Sequence, residues 1–116
     1  MLAALYRVVW NTHVVEFSDL SALDRLSCMD AVVLAEQTLR ATLQPDKINL
    51  ASLGNVVPHL HWHVIARWGW DAYWPQSAWS AAQRPADEAR WVGIRAQLPA
   101  VDTAMQQAYT ARFGGA

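Results

Sequence analysis

Three stretches of the chain have the hydrophobic pattern of β-strands. The run Leu5–Trp10 is rich in β-branched and aromatic residues, and Lys47–Leu53 is a second candidate strand. In Val56–Ala66 apolar and polar positions alternate, as on a strand that buries one face. Gly54 and Asn55, which join the last two, both tolerate a positive φ and are typical of a tight turn. These two strands are therefore predicted to form an antiparallel hairpin.

Two further stretches have the spacing of helices. Apolar residues recur at helical intervals from about residue 21 to residue 43, and Pro45 ends this pattern because proline cannot donate a backbone hydrogen bond. The candidates for its N-cap are Ser18, Asp19 and Ser21. A last helical region covers residues 86–113, and we expect Pro99 to divide it into two helices. Residues 67–84, rich in tryptophan and without a clear period, predict an ordered aromatic loop.

Length and element order together predict one domain, residues 1–116, of the α+β class. A chain of 116 residues fits a single compact domain. The expected architecture is an antiparallel sheet with the long helix packed on one face and helices at the C-terminus. The chain contains seven tryptophans. We expect most of them to fill the core and some to lie at a subunit interface, where aromatic residues are enriched.

Charge and cysteine content narrow the range of functions. Nine basic and ten acidic residues give a net charge of −1 with no block of like charges, which argues against a nucleic-acid binder that uses a broad basic surface. A nucleotide ligand, which needs only a local site, stays possible. The one cysteine, Cys28, lies in the long helical pattern and is interpreted as a buried structural thiol in a reducing compartment. No signal peptide or long apolar run predicts export or a membrane span.

The segment PHLHWHVIAR, residues 58–67, places three of the four histidines at alternate positions. Successive side chains of a strand point to opposite faces, so His59, His61 and His63 are predicted to share one face, about 6.6 Å apart along the strand. The other face then carries Leu60, Trp62 and Val64, which can pack against a helix.

Four interpretations of this histidine face stay open from the residues alone. The rings could be merely solvated, although three in register make that less expected. They could hold a divalent ion with help from Asp71 or His13. Catalytic zinc sites usually add a carboxylate or a further histidine, and no acidic residue lies within seven positions of the three histidines, so we predict no metal and no cofactor. They could serve nucleophilic catalysis, because a neutral imidazole attacks phosphorus readily near pH 7. They could also bind a nucleotide without turnover.

The same segment resembles the signature of the histidine-triad (HIT) superfamily of nucleotide hydrolases and transferases, in which histidines alternate with apolar residues. KINLASLGNVV and RWGWDAYWPQSAW look like bacterial members described as diadenosine-tetraphosphate-hydrolase-like, and RVVWNTHVVEFSDLS resembles the family's strand-turn-helix. The resemblance covers about residues 6–80. It implies a homodimeric nucleotide hydrolase or transferase that acts on the α-phosphate of a dinucleoside polyphosphate or nucleoside phosphoramidate, through a nucleotidyl-histidine intermediate. The single cysteine and the lack of an export signal favour a cytoplasmic location for it.

The resemblance also implies roles for individual residues. His61 corresponds to the family's nucleophile. His63 would contact phosphate oxygens and assist proton transfer to the leaving group, and His59 would orient the site. The expected nucleotide- or phosphate-binding residues are Asn55, Asn49 and His13.

Two departures from the family pattern bear on activity. Relatives often have serine or threonine at the position of Val56, and they usually carry a further helix and strands before the segment that starts at Tyr6. We therefore expect shortened N-terminal strands, an incomplete nucleoside pocket and a sheet edge that is exposed unless another chain covers it. A catalytically weak nucleotide-binding protein of the same fold is the alternative function.

Overall fold

A computed structural model describes residue 2 and residues 4–114 of the chain. It contains three strands, two long helices and a short 3₁₀ turn at Phe17–Asp19. In chain order the strands and helices are β1 (Leu5–Val9), α1 (Ala22–Leu43), β2 (Lys47–Ala51), β3 (His61–Arg67) and α2 (Glu88–Phe113). The predicted α+β class, an antiparallel sheet with a long helix on one face, is confirmed.

The three strands form one antiparallel sheet in the order β1-β3-β2, so the histidine strand lies in the middle. On β3, His63 is paired with Arg7 of β1 on one side and with Ala51 of β2 on the other. Directly opposed residues of antiparallel strands project to the same face. The register therefore fixes which side chains of β1 and β2 flank the histidines.

Local signals set both ends of α1. At its start, the backbone N–H of Asp24 donates to the Ser21 hydroxyl oxygen at 3.2 Å, which identifies Ser21 as the N-cap among the predicted candidates. At its end, Gln44 adopts a left-handed conformation with φ 50°, and Pro45 follows.

The hydrophobic core lies between the helices and one face of the sheet. Val64 and Ala66 of β3, neither of them exposed to solvent, pack in the same cluster as Val32 and Leu39 of α1. Each large side chain buried there stabilises the fold by roughly 1.5–3 kcal/mol. Trp68 and Trp91 belong to this cluster, as the core interpretation of the tryptophans predicts.

The opposite face of β3 carries His61, His63, Ile65 and Arg67, and its C-terminal half is covered. Arg67 is 1% exposed and is bound by Asp71 and Gln76 of the segment 68–84, and Ile65 on the same face is 0% exposed. The Arg67 guanidinium holds this segment in place. It donates to Asp71 at 2.7 and 3.1 Å and to the Gln76 carbonyl at 2.8 Å.

The predicted division of the last helix at Pro99 is wrong, because α2 continues through it from Glu88 to Phe113. Proline removes one backbone hydrogen bond, but α2 is held against the core on both sides of the gap. The residues that hold it are Trp91 and Ile94 before Pro99, and Val101 and Met105 after it. Packing of one continuous apolar face outweighs the missing bond.

The predicted hairpin is correct in its strand pairing and wrong in its turn. β2 and β3 pair antiparallel, but residues 52–60 join them, and the strand begins at His61 rather than Val56. The residue before it, Leu60, pairs elsewhere, since its N–H donates to the Val14 carbonyl and its carbonyl accepts from the Trp10 N–H. Its partners are thus distant in sequence. The Ser52 hydroxyl still donates to the His61 carbonyl at 2.9 Å, and residues 53–57 form the loop beyond it. Val14 itself lies outside any strand.

Neither α1 nor α2, the long helices of the described residues, has an apolar stretch sufficient to cross a bilayer.

Candidate functional site

All three histidines of the row line one cavity of about 580 Å³ on the face of the sheet that is turned away from the helices. His61 and His63 reach it from β3, and His59 reaches it from the segment just before the strand. The rings of His61 and His63 meet edge to face, with centroids 5.0 Å apart. The other lining residues are Arg7, Val9, Leu53, Gly54, Asn55, Val56, Val57 and Trp79.

A backbone hydrogen bond fixes the tautomer of His61. Its Nδ1 lies 2.6 Å from the carbonyl oxygen of His59, and a carbonyl can only accept. Nδ1 therefore carries the proton, and in the neutral ring Nε2 keeps its lone pair. Such a ring can act as a nucleophile through Nε2 without first losing a proton from that nitrogen.

His59 is held from two sides. Its Nε2 donates to the Trp10 carbonyl at 2.5 Å, and its Nδ1 lies 3.0 Å from Nδ1 of His13. When His59 is neutral, its Nδ1 must be the acceptor, so His13 is the donor in that contact. The two rings are nearly parallel, with centroids 5.2 Å apart. His13 thus contacts the triad through His59 and does not itself line the cavity.

His63 is the most enclosed histidine of the row, with 8% of its surface exposed. Burial lowers its pKa below the ordinary value, and repulsion from His61, when that ring is protonated, and then from the Arg7 guanidinium lowers it further. The Trp79 ring packs against it edge to face at 5.1 Å. Its Nδ1 has no hydrogen-bond partner among the described residues. His63 is therefore held neutral near pH 7.

The loop between β2 and β3 forms one wall of the cavity. Gly54 has φ +81°, a conformation that side-chain-bearing residues rarely adopt, and it turns the chain toward the histidines. Asn55 lines the cavity beside His59, so the structure brings this predicted residue to the triad. Val56, where a hydroxyl residue is expected from the family pattern, also lines the cavity and is 93% exposed.

Two other polar residues considered from the sequence have different partners. Asn49 on β2 accepts a hydrogen bond from Arg67 at 2.7 Å and does not line the histidine cavity. Asp71, a conceivable metal ligand, is paired with the same arginine. Burial acts to raise the pKa of Asp71, but hydrogen bonds from Arg67 and from backbone N–H groups outweigh it, so the pKa is lowered. Asn49 and Asp71 therefore help to hold the aromatic segment. Within residues 2 and 4–114, no three metal-binding side chains converge as ligands.

Sequence reasoning did not assign Arg7 and Trp79 to the site, although both line the cavity. Arg7 reaches it through the β1–β3 register, and Trp79 reaches it through the fold of a segment without regular structure. The only signal in the sequence is that Arg7 and Val9 are two positions apart on a predicted strand and therefore share one face.

A larger cavity, about 730 Å³, lies on the other side of the sheet between β1 and the two helices. It contains none of the triad histidines. Cys28 lines it but is only 2% exposed, and burial raises the pKa of its thiol more than a contact with Trp62 lowers it. Cys28 is thus a buried, protonated thiol rather than a nucleophile.

The middle strand of an antiparallel sheet presents a row of histidines to a cavity, and helices cover the opposite face of the sheet. This combination is that of a histidine-triad protein. The HIT domain family profile matches residues 1–69, and the chain belongs to this family. Proteins of the family generally bind nucleotides and are commonly hydrolases or transferases. A comparison with curated proteins finds no match.

Solved structures of histidine triad proteins are similar to this chain. One, protein blr8122 of Bradyrhizobium japonicum, is 30% identical with a TM-score of 0.68, over 90% of this chain and 74% of that one. A histidine triad protein of Sinorhizobium meliloti, SMc02904, is also 30% identical, with a TM-score of 0.63 over 80% of this chain and 70% of its own. A third, from Marinobacter aquaeolei, is 24% identical with a TM-score of 0.67, over 90% of this chain and 75% of that one. At this identity it supports the fold alone.

Proposed function

We propose that the protein is a hydrolase or transferase that acts on the α-phosphate of a nucleotide through a nucleotidyl-histidine on His61. The observation that carries this proposal is the 2.6 Å bond from His61 Nδ1 to a backbone carbonyl, on a ring that lines the cavity. This bond leaves Nε2 with an available lone pair in a space large enough for a phosphoryl group. The substrate class is a dinucleoside polyphosphate, such as diadenosine tetraphosphate, or a nucleoside phosphoramidate.

The reaction takes two displacement steps. In the first, the His61 Nε2 lone pair attacks the α-phosphorus, a P–N bond forms, and the bond from phosphorus to the leaving group breaks with its electron pair on the leaving group. An anhydride leaves as a phosphate anion, whereas an amine also takes up a proton, which comes from solvent water with the assistance of His63. In the second, water attacks the same phosphorus. The P–N bond breaks, its electron pair returns to the His61 ring, and one proton of the water is released. Splitting one displacement into two easier ones is the advantage of covalent catalysis.

Neighbouring residues support these steps in the proposal. His63 contacts the phosphate oxygens, and His59 presents the carbonyl that orients His61. Asn55 donates its side-chain amide to a phosphate oxygen, and His13 supports the site through its contact with His59. Asn49 acts indirectly, because its amide oxygen is bound to Arg67 rather than directed at the histidine cavity.

The covalent intermediate can be detected directly. Brief incubation with an adenylated substrate, followed by acid quench and intact-protein mass spectrometry, should show an AMP adduct that maps to His61. His61→Ala should form no adduct and should lose turnover by several orders of magnitude, while unfolding at the temperature of the parent. Equal turnover by the parent and His61→Ala would exclude covalent catalysis by His61.

A catalytically weak nucleotide-binding protein is the second candidate, and Val56 is the observation that favours it. This exposed valine offers no hydroxyl to a phosphate or leaving group at the cavity mouth. Thermal stabilisation by AMP without an adduct or turnover would favour this candidate, because a ligand that binds only the folded state raises its stability by mass action.

We also propose that the protein is a cytoplasmic homodimer. Both β1 and β2 are edge strands of the described sheet, and an exposed edge can pair with a second chain. Size-exclusion chromatography with light scattering tests this, and a mass of 13.0 kDa at all concentrations would show a monomer.

A further inference from the structure

Arg7 is the only fully ionised side chain among the described residues that line the histidine cavity. On β1 it stands directly opposite His63, and opposed residues share a face, so its guanidinium flanks His63. The electrostatic effect of Arg7 on His63 agrees with this proximity.

Nothing in the described structure neutralises this charge. Arg7 is exposed, and its side chain has no ion pair or hydrogen bond to any described residue. The cavity lining contains three histidines, one asparagine and no aspartate or glutamate. Apart from Arg7 itself, the remaining side chains of the lining belong to valine, leucine and tryptophan. An uncompensated guanidinium beside the histidines gives the cavity a positive potential, which favours a multiply charged anion.

We propose that Arg7 binds the departing phosphate of a phosphoanhydride, and that it thereby makes nucleoside polyphosphates better substrates than phosphoramidates. This inference rests on the proposed function, since it assigns the leaving group of that reaction. A planar guanidinium with five N–H donors suits the oxygens of a phosphate group. The nucleophile, His61, and Arg7 lie on adjacent strands, with His63 between them in the register.

The neutral state of His63 also favours a phosphate over an amine as the leaving group. An amine leaving group departs only when it gains a proton, and burial together with nearby positive charge disfavours a proton on His63. A departing phosphate leaves as an anion and needs stabilising positive charge, which Arg7 supplies. When the anhydride P–O bond breaks, its electron pair stays on the leaving oxygen, and the new negative charge develops within reach of the guanidinium.

Paired substrates test the inference. The kcat/KM values for diadenosine tetraphosphate and adenosine 5′-phosphoramidate are measured for the parent, Arg7→Gln, Arg7→Lys and the control Arg40→Gln. Arg40 is exposed on α1, on the helix side of the sheet, and its side chain makes no ion pair among the described residues. Arg7→Gln should lower the tetraphosphate value by roughly 10–100-fold and change the phosphoramidate value by less than about 3-fold.

Lysine at position 7 should recover part of the tetraphosphate activity, because it keeps the charge but not the planar fork. The control should change both values by less than about 2-fold, since the loss of one distant surface charge has little local effect. Equal losses on both substrates after Arg7→Gln, or no loss on the tetraphosphate, would overturn the role of Arg7.

A binding experiment separates this inference from the proposed chemistry. Inorganic pyrophosphate should raise the unfolding temperature of the parent and of His61→Ala, and should raise that of Arg7→Gln much less. Absence of any AMP adduct or turnover in the parent would defeat the proposed function but leave this comparison decisive. Equal stabilisation of parent and Arg7→Gln by pyrophosphate would defeat the role of Arg7 whatever the activity.

Discussion

The three histidines of the row have the same side chain but differ in what holds each ring. A backbone carbonyl holds His61, a carbonyl and a second imidazole hold His59, and burial against Trp79 holds His63. Because environment sets protonation, identical residues at alternate positions acquire different chemical properties. This is the basis for assigning them different roles in the proposed reaction.

Asp71 gives a prediction about stability and acid. Asp71→Asn leaves the buried Arg67 guanidinium without its carboxylate, and we expect a loss of about 3–5 kcal/mol in the free energy of unfolding, measured by urea denaturation. The matched control is Asp30→Asn, whose ion pair with Arg112 is exposed and should contribute less than about 1 kcal/mol.

The lowered pKa of Asp71 fixes the direction of the pH effect. A carboxyl whose pKa is lower in the folded state contributes stability above its ordinary value of 3.8, and this contribution is lost as the pH falls below that value toward the folded pKa. The parent should therefore lose stability in this acid range more steeply than Asp71→Asn. Parallel pH profiles for the two proteins would contradict the assignment.

At the scale of elements, α2 is continuous although it contains Pro99 in its interior. Pro99→Ala restores a backbone donor in the helix interior, so we expect the free energy of unfolding to rise by about 1–3 kcal/mol. Pro99→Gly restores the same donor but should gain about 1 kcal/mol less, because glycine is a poorer helix former than alanine. Thermal and urea unfolding of the three proteins measure both differences. Destabilisation by Pro99→Ala would show that the proline ring itself makes a needed contact.

Which elements could be predicted from the sequence depends on the range of the interactions that define them. The limits of α1 follow from its own residues, because Ser21 caps one end and Pro45 follows the other, and the prediction is correct to within one residue. The start of β3 depends on bonds from Leu60 to Val14 and Trp10, which the local alternation cannot reveal.

The candidate site shows the same limit. The motif alone singles out the three histidines of the row, since the alternation is local. Arg7 enters the cavity only because β1 pairs with β3 in one particular register, and Trp79 enters only because Arg67 holds the aromatic segment in place. Both contacts are made between distant parts of the sequence, so a pattern read along one strand could not predict them.

At the scale of the whole molecule, the sheet separates a packed face from a chemical face. Cys28 lies on the packed side, 2% exposed, and its reaction with a thiol reagent reports the opening of that side. We expect labelling of the native protein at pH 8 to be slow and to accelerate with urea in parallel with unfolding.

The control for this measurement is Gln37→Cys in a Cys28→Ser background, which places an exposed thiol on the same helix. It should react at once without urea. Rapid labelling of Cys28 in the native protein would show that the packed face opens locally, without global unfolding.

The hydrogen bond that orients His61 has a consequence for how the protein tolerates mutation. Its acceptor is the main-chain oxygen of residue 59, which every amino acid possesses. Replacing the His59 side chain therefore leaves this acceptor chemically intact. The backbone conformation at residue 59, rather than its side chain, sets the tautomer of His61. Substitutions of His59 are then expected to reduce turnover without abolishing it.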